Sequence, residues 1–254
     1  MVKETGKLDL YNSTLATKRR KLLKTGCTQG YSLMVKGEII VVNSTIAYMD
    51  RIEFRDESKI KLISSKFPHG CNRGFLNVNG KNVEIRNCEF NNIGDWGLAV
   101  RGKREEPLLI KDSLLKGKIA GLLNSGYDAE VVLLDCNFNK IFFSQLTGKV
   151  TIKWTLKVKV LDKDSNPAQG LIVTAISKDK CGLKENVSSI TSKEGIAFLE
   201  LTEFIATPLT KQRTDGKNNF TPHDIMVYSQ DKRLLATKSV NVNKKNQGVI
   251  LYLK

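Results

Sequence analysis

The sequence predicts an all-β chain in two parts, a parallel β-solenoid of about six coils followed by a β-sandwich. Three observations predict it. An eight-residue string, h-x-h-x-[N/D/S]-[S/C]-x-h with h apolar, occurs six times in the first 140 residues. A second string, a short strand that mostly ends in glycine, keeps step with it. After Gly148 this rhythm stops, and longer alternating strands replace it.

The copies of the first string are Leu8–Leu15, Ile39–Ile46, Ile60–Phe67, Val83–Phe90, Leu108–Leu115 and Val131–Phe138. Their Ser/Cys positions 13, 44, 65, 88, 113 and 136 step by 31, 21, 23, 25 and 23. The second string reads Leu33–Gly37, Leu76–Gly80, Leu98–Gly102 and Leu122–Gly126, with weaker copies at Ile52–Asp56 and Ser144–Gly148. A shared period of this length marks a stacked repeat.

Within each string the apolar period is two, which is a strand and not a helix. Strands of this length joined by turns stack as coils about 4.8 Å apart. In Val83-Glu-Ile-Arg-Asn-Cys-Glu-Phe90, Val83 and Ile85 are expected inside, and Glu84 and Arg86 outside. Asn87 breaks the alternation, because Asn accepts a left-handed bend better than most residues. The turn column is therefore Asn12, Asn43, Ser64, Asn87, Asp112 and Asp135, and the small column beside it is Ser13, Ser44, Ser65, Cys88, Ser113 and Cys136.

On these repeats, residues 7–150 resemble the right-handed parallel β-helix superfamily with its pectate-lyase-like repeats. The resemblance implies the fold. It does not imply one function, since folds of this kind host many chemistries.

From Trp154 the reading changes. Trp154–Leu161 is a long alternating strand, Asp162–Gly170 a turn, and Leu171–Ser177 a second strand. Further segments are Ser192–Leu201, Ile225–Ser229, Leu234–Val242 and Val249–Leu253. Short alternating strands separated by turn signals predict an Ig-like sandwich over 151–254, after a β-helix domain over 1–150. Val158–Asp162, Asn166-Pro167, Gly170, Val173 and Thr191–Gly195 with Ala197 and Leu199 resemble the carboxypeptidase-regulatory-like, or prealbumin-like, family. Ser165-Asn166 and Thr191-Ser192 stand where that family has Asp-Gly and Thr-Asp. The resemblance implies a rigid, non-catalytic module in a secreted or surface protein.

The net charge of +15 is spread evenly, +8 over residues 1–150 and +7 over the rest. An even spread suits solubility rather than a dedicated nucleic-acid face, so no nucleic acid is expected as a partner. The one dense run, Lys18–Lys21 with Lys24, falls in the extra residues of the first repeat step and is expected in a loop. No apolar segment is long enough to span a bilayer, and no signal peptide is read at the start. The first coil begins without a cap, so the chain is expected to be part of a longer protein.

The cysteines form no disulfide framework. Cys88 and Cys136 sit two coils apart, about 9.6 Å, beyond disulfide reach. They are expected as small core residues, with Cys27, Cys71 and Cys181 in loops. His69 and Cys71 offer two metal ligands where a structural zinc needs four, so neither metal nor cofactor is expected.

β-Helix hydrolases need a pair of carboxylates flanking the scissile bond. The outward positions of the glycine-ended strands are Met34/Lys36, Glu53/Arg55, Asn77/Asn79, Ala99/Arg101, Leu123/Ser125 and Gln145/Thr147, and only Glu53 is acidic. No catalytic residue is assigned. The same face presents Lys36, Arg55, Asn79 and Arg101 in one column of successive coils, a basic and amide row suited to an acidic polysaccharide. Trp96 is either an aromatic platform beside this row or packing at the coil edge. The expected function is a non-catalytic surface or adhesion module, extracellular or at the cell surface by resemblance. The alternative is a fragment of a carbohydrate-active lyase or hydrolase whose catalytic coils lie outside this chain.

Overall fold

The computed structural model describes residues 1–2, 6–16, 32–47, 49, 51–55, 58–68, 76–78, 82–91, 95–102, 105–124, 128–177, 184–208 and 218–253. No helix occurs among them. The chain divides into two compact units, Met1–Val150 with Thr207–Leu209, and Thr151–Ala206 with Thr210–Lys254.

The first unit is a parallel β-solenoid with three sheets. The first sheet stacks Lys7–Tyr11, Glu38–Val42, Lys59–Ile63, Asn82–Arg86, Leu108–Lys111 and Glu130–Leu134. The second stacks Thr14–Ala16, Thr45–Ala47, Lys66–Pro68, Glu89–Asn91, Leu114–Lys116 and Asn137–Phe138. The third stacks Ser32–Val35, Arg51–Phe54, Leu76–Val78, Trp96–Val100, Ala120–Asn124 and Ile141–Phe143. Each repeat string supplies one strand to the first sheet and one to the second. Equivalent residues pair: Ile39 with Ile60, Ile60 with Val83, and Leu108 with Val131.

Pairing in register stacks like on like. Ile39, Val41, Ile60, Leu62, Ile85 and Ile110 line the inside of the first sheet and are almost fully buried. Ile46, Phe67, Phe90 and Leu115 line the second. The Phe67 and Phe90 rings stack with centroids 4.9 Å apart, about the spacing of adjacent strands. Burial of these columns supplies the driving force that one coil alone lacks.

The turn between the first two sheets is the predicted ladder. Asn12, Asn43, Ser64, Asn87, Asp112 and Asp135 all have φ between 48° and 54°. One residue on, the side chains of Ser44, Ser65, Ser113 and Cys136 each accept a backbone N–H from the preceding coil and donate to a carbonyl of their own. Ser65 Oγ donates to Ile63 C=O at 2.7 Å and accepts from Ser44 N–H at 3.1 Å. Cys136 repeats the pattern with sulfur, donating to Leu134 C=O at 3.4 Å and accepting from Ser113 N–H at 3.5 Å.

Two expectations need correction. Ser144–Gly148 is not the sixth strand of the third sheet. Ile141–Phe143 takes that place, with Leu122 opposite Ile141 and Asn124 opposite Phe143. Ile141 and Phe143 bring apolar volume to the inside, which the polar Ser144-Gln-Leu-Thr string lacks. The outward positions of the third sheet are also not uniformly solvated. Ala99 is 0% exposed, Leu123 6% and Glu53 9%. Met34, Ala99, Leu123 and Phe142 make this outward column largely apolar, and stacked apolar side chains shield one another.

The second unit contains two sheets. One orders Asn186–Ile190, Ile172–Ser177, His223–Tyr228 and Leu234–Val240, all antiparallel. The other is built on Lys149–Leu161, which pairs in parallel with Gln247–Tyr252 and also neighbours Ile196–Ala206. Val158, Val160, Val173, Ala175, Leu199, Leu201, Ile225 and Val227 are all 0% exposed. Motif residues hold the turns. Asp162 Oδ1 accepts the N–H groups of Asp164 and Asn166 at 2.9 and 2.8 Å. Gly195 has φ 69° and lies so close to Val160 that an added Cβ would sit 2.5 Å from its carbonyl oxygen.

Candidate functional site

The basic row is set by the third sheet of the solenoid. Met34 pairs with Glu53 and Val35 with Phe54, so the next residues, Lys36 and Arg55, share one level. Phe54 pairs with Val78, and Val78 with Val100, which carries the column to Arg101. Asn79, the fourth member, lies outside the described residues. Arg55 and Arg101 are exposed and Lys36 is half-buried.

Arg55 is tied through both its backbone and its side chain. Its N–H donates to Val35 C=O at 2.9 Å, and its own C=O accepts from Ser58 N–H at 2.9 Å. Ser58 is 1% exposed, and its Oγ donates to Val35 C=O at 2.8 Å. Arg55 Nε lies 3.2 Å from Glu53 Oε1, and the Glu53 side chain is only 11% exposed. A carboxylate this buried is rare without a partner.

Trp96 begins the fourth strand of the same sheet. It is half-buried, and its ring lies 5.0 Å from that of Phe142, tilted by 37°. The ring packs on its neighbour two coils away, with part of its surface open.

A shallow groove on the first sheet is lined by Glu38, Lys59, Lys61, Asn82 and Glu84. Lys61 Nζ sits 3.5 Å from Glu84 Oε2, and Arg86 Nε 2.8 Å from Glu84 Oε1. Charges here largely satisfy one another, so this face offers a ligand less than the Arg55 row does.

Residues 3–138, more than half of the chain, match the family described as right handed beta helix region. The chain belongs to that family. No curated protein matches this right-handed β-helix chain significantly. Among solved structures, a 9R-lipoxygenase from Cyanothece PCC8801 is 9% identical over 38% of this chain and 16% of that one, with a TM-score of 0.26. A likeness that slight assigns neither fold nor chemistry.

Among the described residues the two cysteines, Cys88 and Cys136, are not candidates for a reactive thiol. Cys88 and Cys136 are buried and form no disulfide, and burial pushes the Cys88 thiol up to about 11. A thiol at that value holds almost no thiolate at neutral pH. Cys27, Cys71, Cys181, His69 and the basic run Lys18–Lys21 with Lys24 lie outside the described residues. Among the described residues no group of three or more His, Cys, Asp or Glu is placed to hold a metal, and no helix is long and apolar enough to cross a membrane.

The second unit holds a polar cluster that sequence reasoning missed. Glu185 accepts from Thr202 N–H and Thr202 Oγ1, both at 2.8 Å. Lys153 Nζ lies 3.2 Å from Glu185 Oε1, and His223 Nε2 3.3 Å from Glu185 Oε2. Burial alone would raise the Glu185 pKa. The bonds from His223 and Thr202 and the Lys153 charge outweigh it and hold the group at about 2. Glu185 thereby ties together strands of both sheets of this unit. Its sequence signal was weak, because the four residues span 153 to 223 and no repeat relates them.

Proposed function

We propose that this chain is a non-catalytic structural module of a secreted or surface-displayed protein. Its β-helix of six coils holds acidic polysaccharide along the Lys36, Arg55, Asn79 and Arg101 row. The second unit, read as a prealbumin-like sandwich, serves as a rigid mount. The observation that carries this reading is the register that aligns Lys36, Arg55 and Arg101 at the ends of the first, second and fourth strands of the third sheet. Strands about 4.8 Å apart repeat at close to the length of a sugar residue, so cations one or two strands apart can meet acid groups one or two sugars apart.

The composition of the face also argues for binding rather than hydrolysis. A glycosidase needs a second carboxylate roughly 5–10 Å from the first. The register partners of Glu53 are Met34 and Asn77, and neither carries one.

Affinity electrophoresis through gels containing polygalacturonate tests the reading. The wild-type protein should be retarded at low salt, and the double variant Arg55→Ala/Arg101→Ala should migrate freely. Neutral dextran should retard neither. Equal migration of both proteins in polygalacturonate sinks the proposal.

A further inference from the structure

We propose that Glu53 is a positioning residue, which fixes the Arg55 guanidinium against an oxyanion of the ligand and makes Arg55 the specificity-determining member of the row. The inference rests on the polysaccharide-binding reading of that row. The oxyanion is a sugar carboxylate or a sugar sulfate.

Glu53 sits on the outward side of the strand Arg51–Phe54, yet it is 9% exposed. Arg55, two residues on, remains half exposed, with its Nε 3.2 Å from Glu53 Oε1. One end of the pair is thus anchored in the protein while the other reaches solvent. Contact through Nε leaves the outer edge of the guanidinium, with its two Nη groups, available for a forked contact to two oxygens. The backbone of Arg55 is pinned as well, by Val35 C=O on one side and Ser58 N–H on the other. Backbone and side chain are both ordered before a ligand arrives, so little rotamer freedom is lost on binding. Neither Lys36 nor Arg101 has a buried carboxylate two residues before it, since Met34 and Ala99 stand at the equivalent positions.

Electrostatics alone makes the opposite prediction. Removing the Glu53 charge raises the positive potential of the face and should tighten binding to any polyanion. Positioning predicts weaker binding.

The test is affinity electrophoresis and calorimetric titration of the full chain against polygalacturonate, dextran sulfate and neutral dextran. The variants are Glu53→Gln and Arg55→Lys, with circular dichroism and thermal melting run on each. Arg55→Lys keeps the charge at an exposed position, so it reports even where Glu53→Gln fails to fold. Both variants should bind about tenfold more weakly than wild type, as expected for loss of one forked charge-assisted contact. The more strongly affected polymer identifies carboxylate or sulfate as the group recognised. Wild-type affinity in Arg55→Lys, or equal or tighter binding by a folded Glu53→Gln, overturns the positioning role and leaves the binding reading standing. Failure of the wild type to bind either polyanion overturns both.

Discussion

His223 Nε2 lies 3.3 Å from Glu185 Oε2, and the imidazole is completely buried. A carboxylate held this way depends on its charge. Glu185 has a pKa of about 2 in the folded chain against an ordinary value of 4.5. Its folded value is depressed, so its contribution is complete above about pH 4.5 and is lost as pH falls towards 2. The shift corresponds to roughly 3 kcal/mol. Glu185→Gln should lower the melting temperature of the second unit at pH 7. The difference from wild type should shrink steadily between pH 4.5 and pH 2. A difference independent of pH in that window would show that the carboxylate charge is not what ties these strands.

The turn ladder predicts an unusual order of substitutions. Ser65 Oγ accepts Ser44 N–H at 3.1 Å in a buried setting. Ser65→Ala strands that donor, at a cost of about 1–3 kcal/mol. Ser65→Cys should cost less, although it changes the side chain more, because Cys136 makes the same pair of contacts in its own coil. Chemical denaturation of both variants checks the order. Ser65→Ala proving the milder change would refute the role given to the hydroxyl.

The ladder was legible in the sequence for a physical reason. A strand period of two fixes which residues point inward, and Asn87 or Asp112 interrupts that period where the backbone must turn left-handed. Six copies with the same interruption leave little choice of register. The third sheet was harder to place, because its glycine-ended string also occurs at Ser144–Gly148 while the apolar volume lies at Ile141–Phe143. Core filling decided, and a spacing rule does not measure volume. Burial of Glu53 was hidden for a similar reason, since alternation says which side a residue faces but not whether that side is covered. Residues 153, 185, 202 and 223 belong to no repeat, and only the tertiary fold brings them together.

Asn124 occupies an inward column otherwise filled by Val35, Phe54, Val78, Val100 and Phe143. It is 0% exposed, its Nδ2 donates to Ala129 C=O at 2.9 Å, and its Oδ1 has no partner among the described residues. Ala129 C=O also accepts Lys149 N–H at 3.0 Å, so it stays satisfied without Asn124. Asn124→Leu, similar in size, exchanges one bond and one orphaned acceptor for apolar contact. Its effect on stability should lie within about 1 kcal/mol of zero. Asn124→Asp buries a charge and should cost several-fold more, about 3 kcal/mol. Thermal melts of the two variants separate these outcomes. A large loss in Asn124→Leu would mean that the amide is required as a tie between Ala120–Asn124 and the segment leading to Lys149.

Two glycines on adjacent coils, Gly102 and Gly121, test close packing against backbone strain. An added Cβ at Gly121 would lie 2.1 Å from Leu115 C=O and 2.7 Å from its carbon, both backbone atoms that cannot swing aside. At Gly102 an added Cβ would have no described residue within 4 Å, but φ is 82°. Gly121→Ala must therefore push strands apart and should cost about 3 kcal/mol or more. Gly102→Ala meets only the left-handed backbone penalty, about 1–2 kcal/mol. The tell is what asparagine does at each site. Gly102→Asn should recover part of the loss, because Asn accepts positive φ, whereas Gly121→Asn should be at least as damaging as alanine. Recovery by asparagine at Gly121 instead would show that its constraint is conformational and not the approach of the Leu115 backbone.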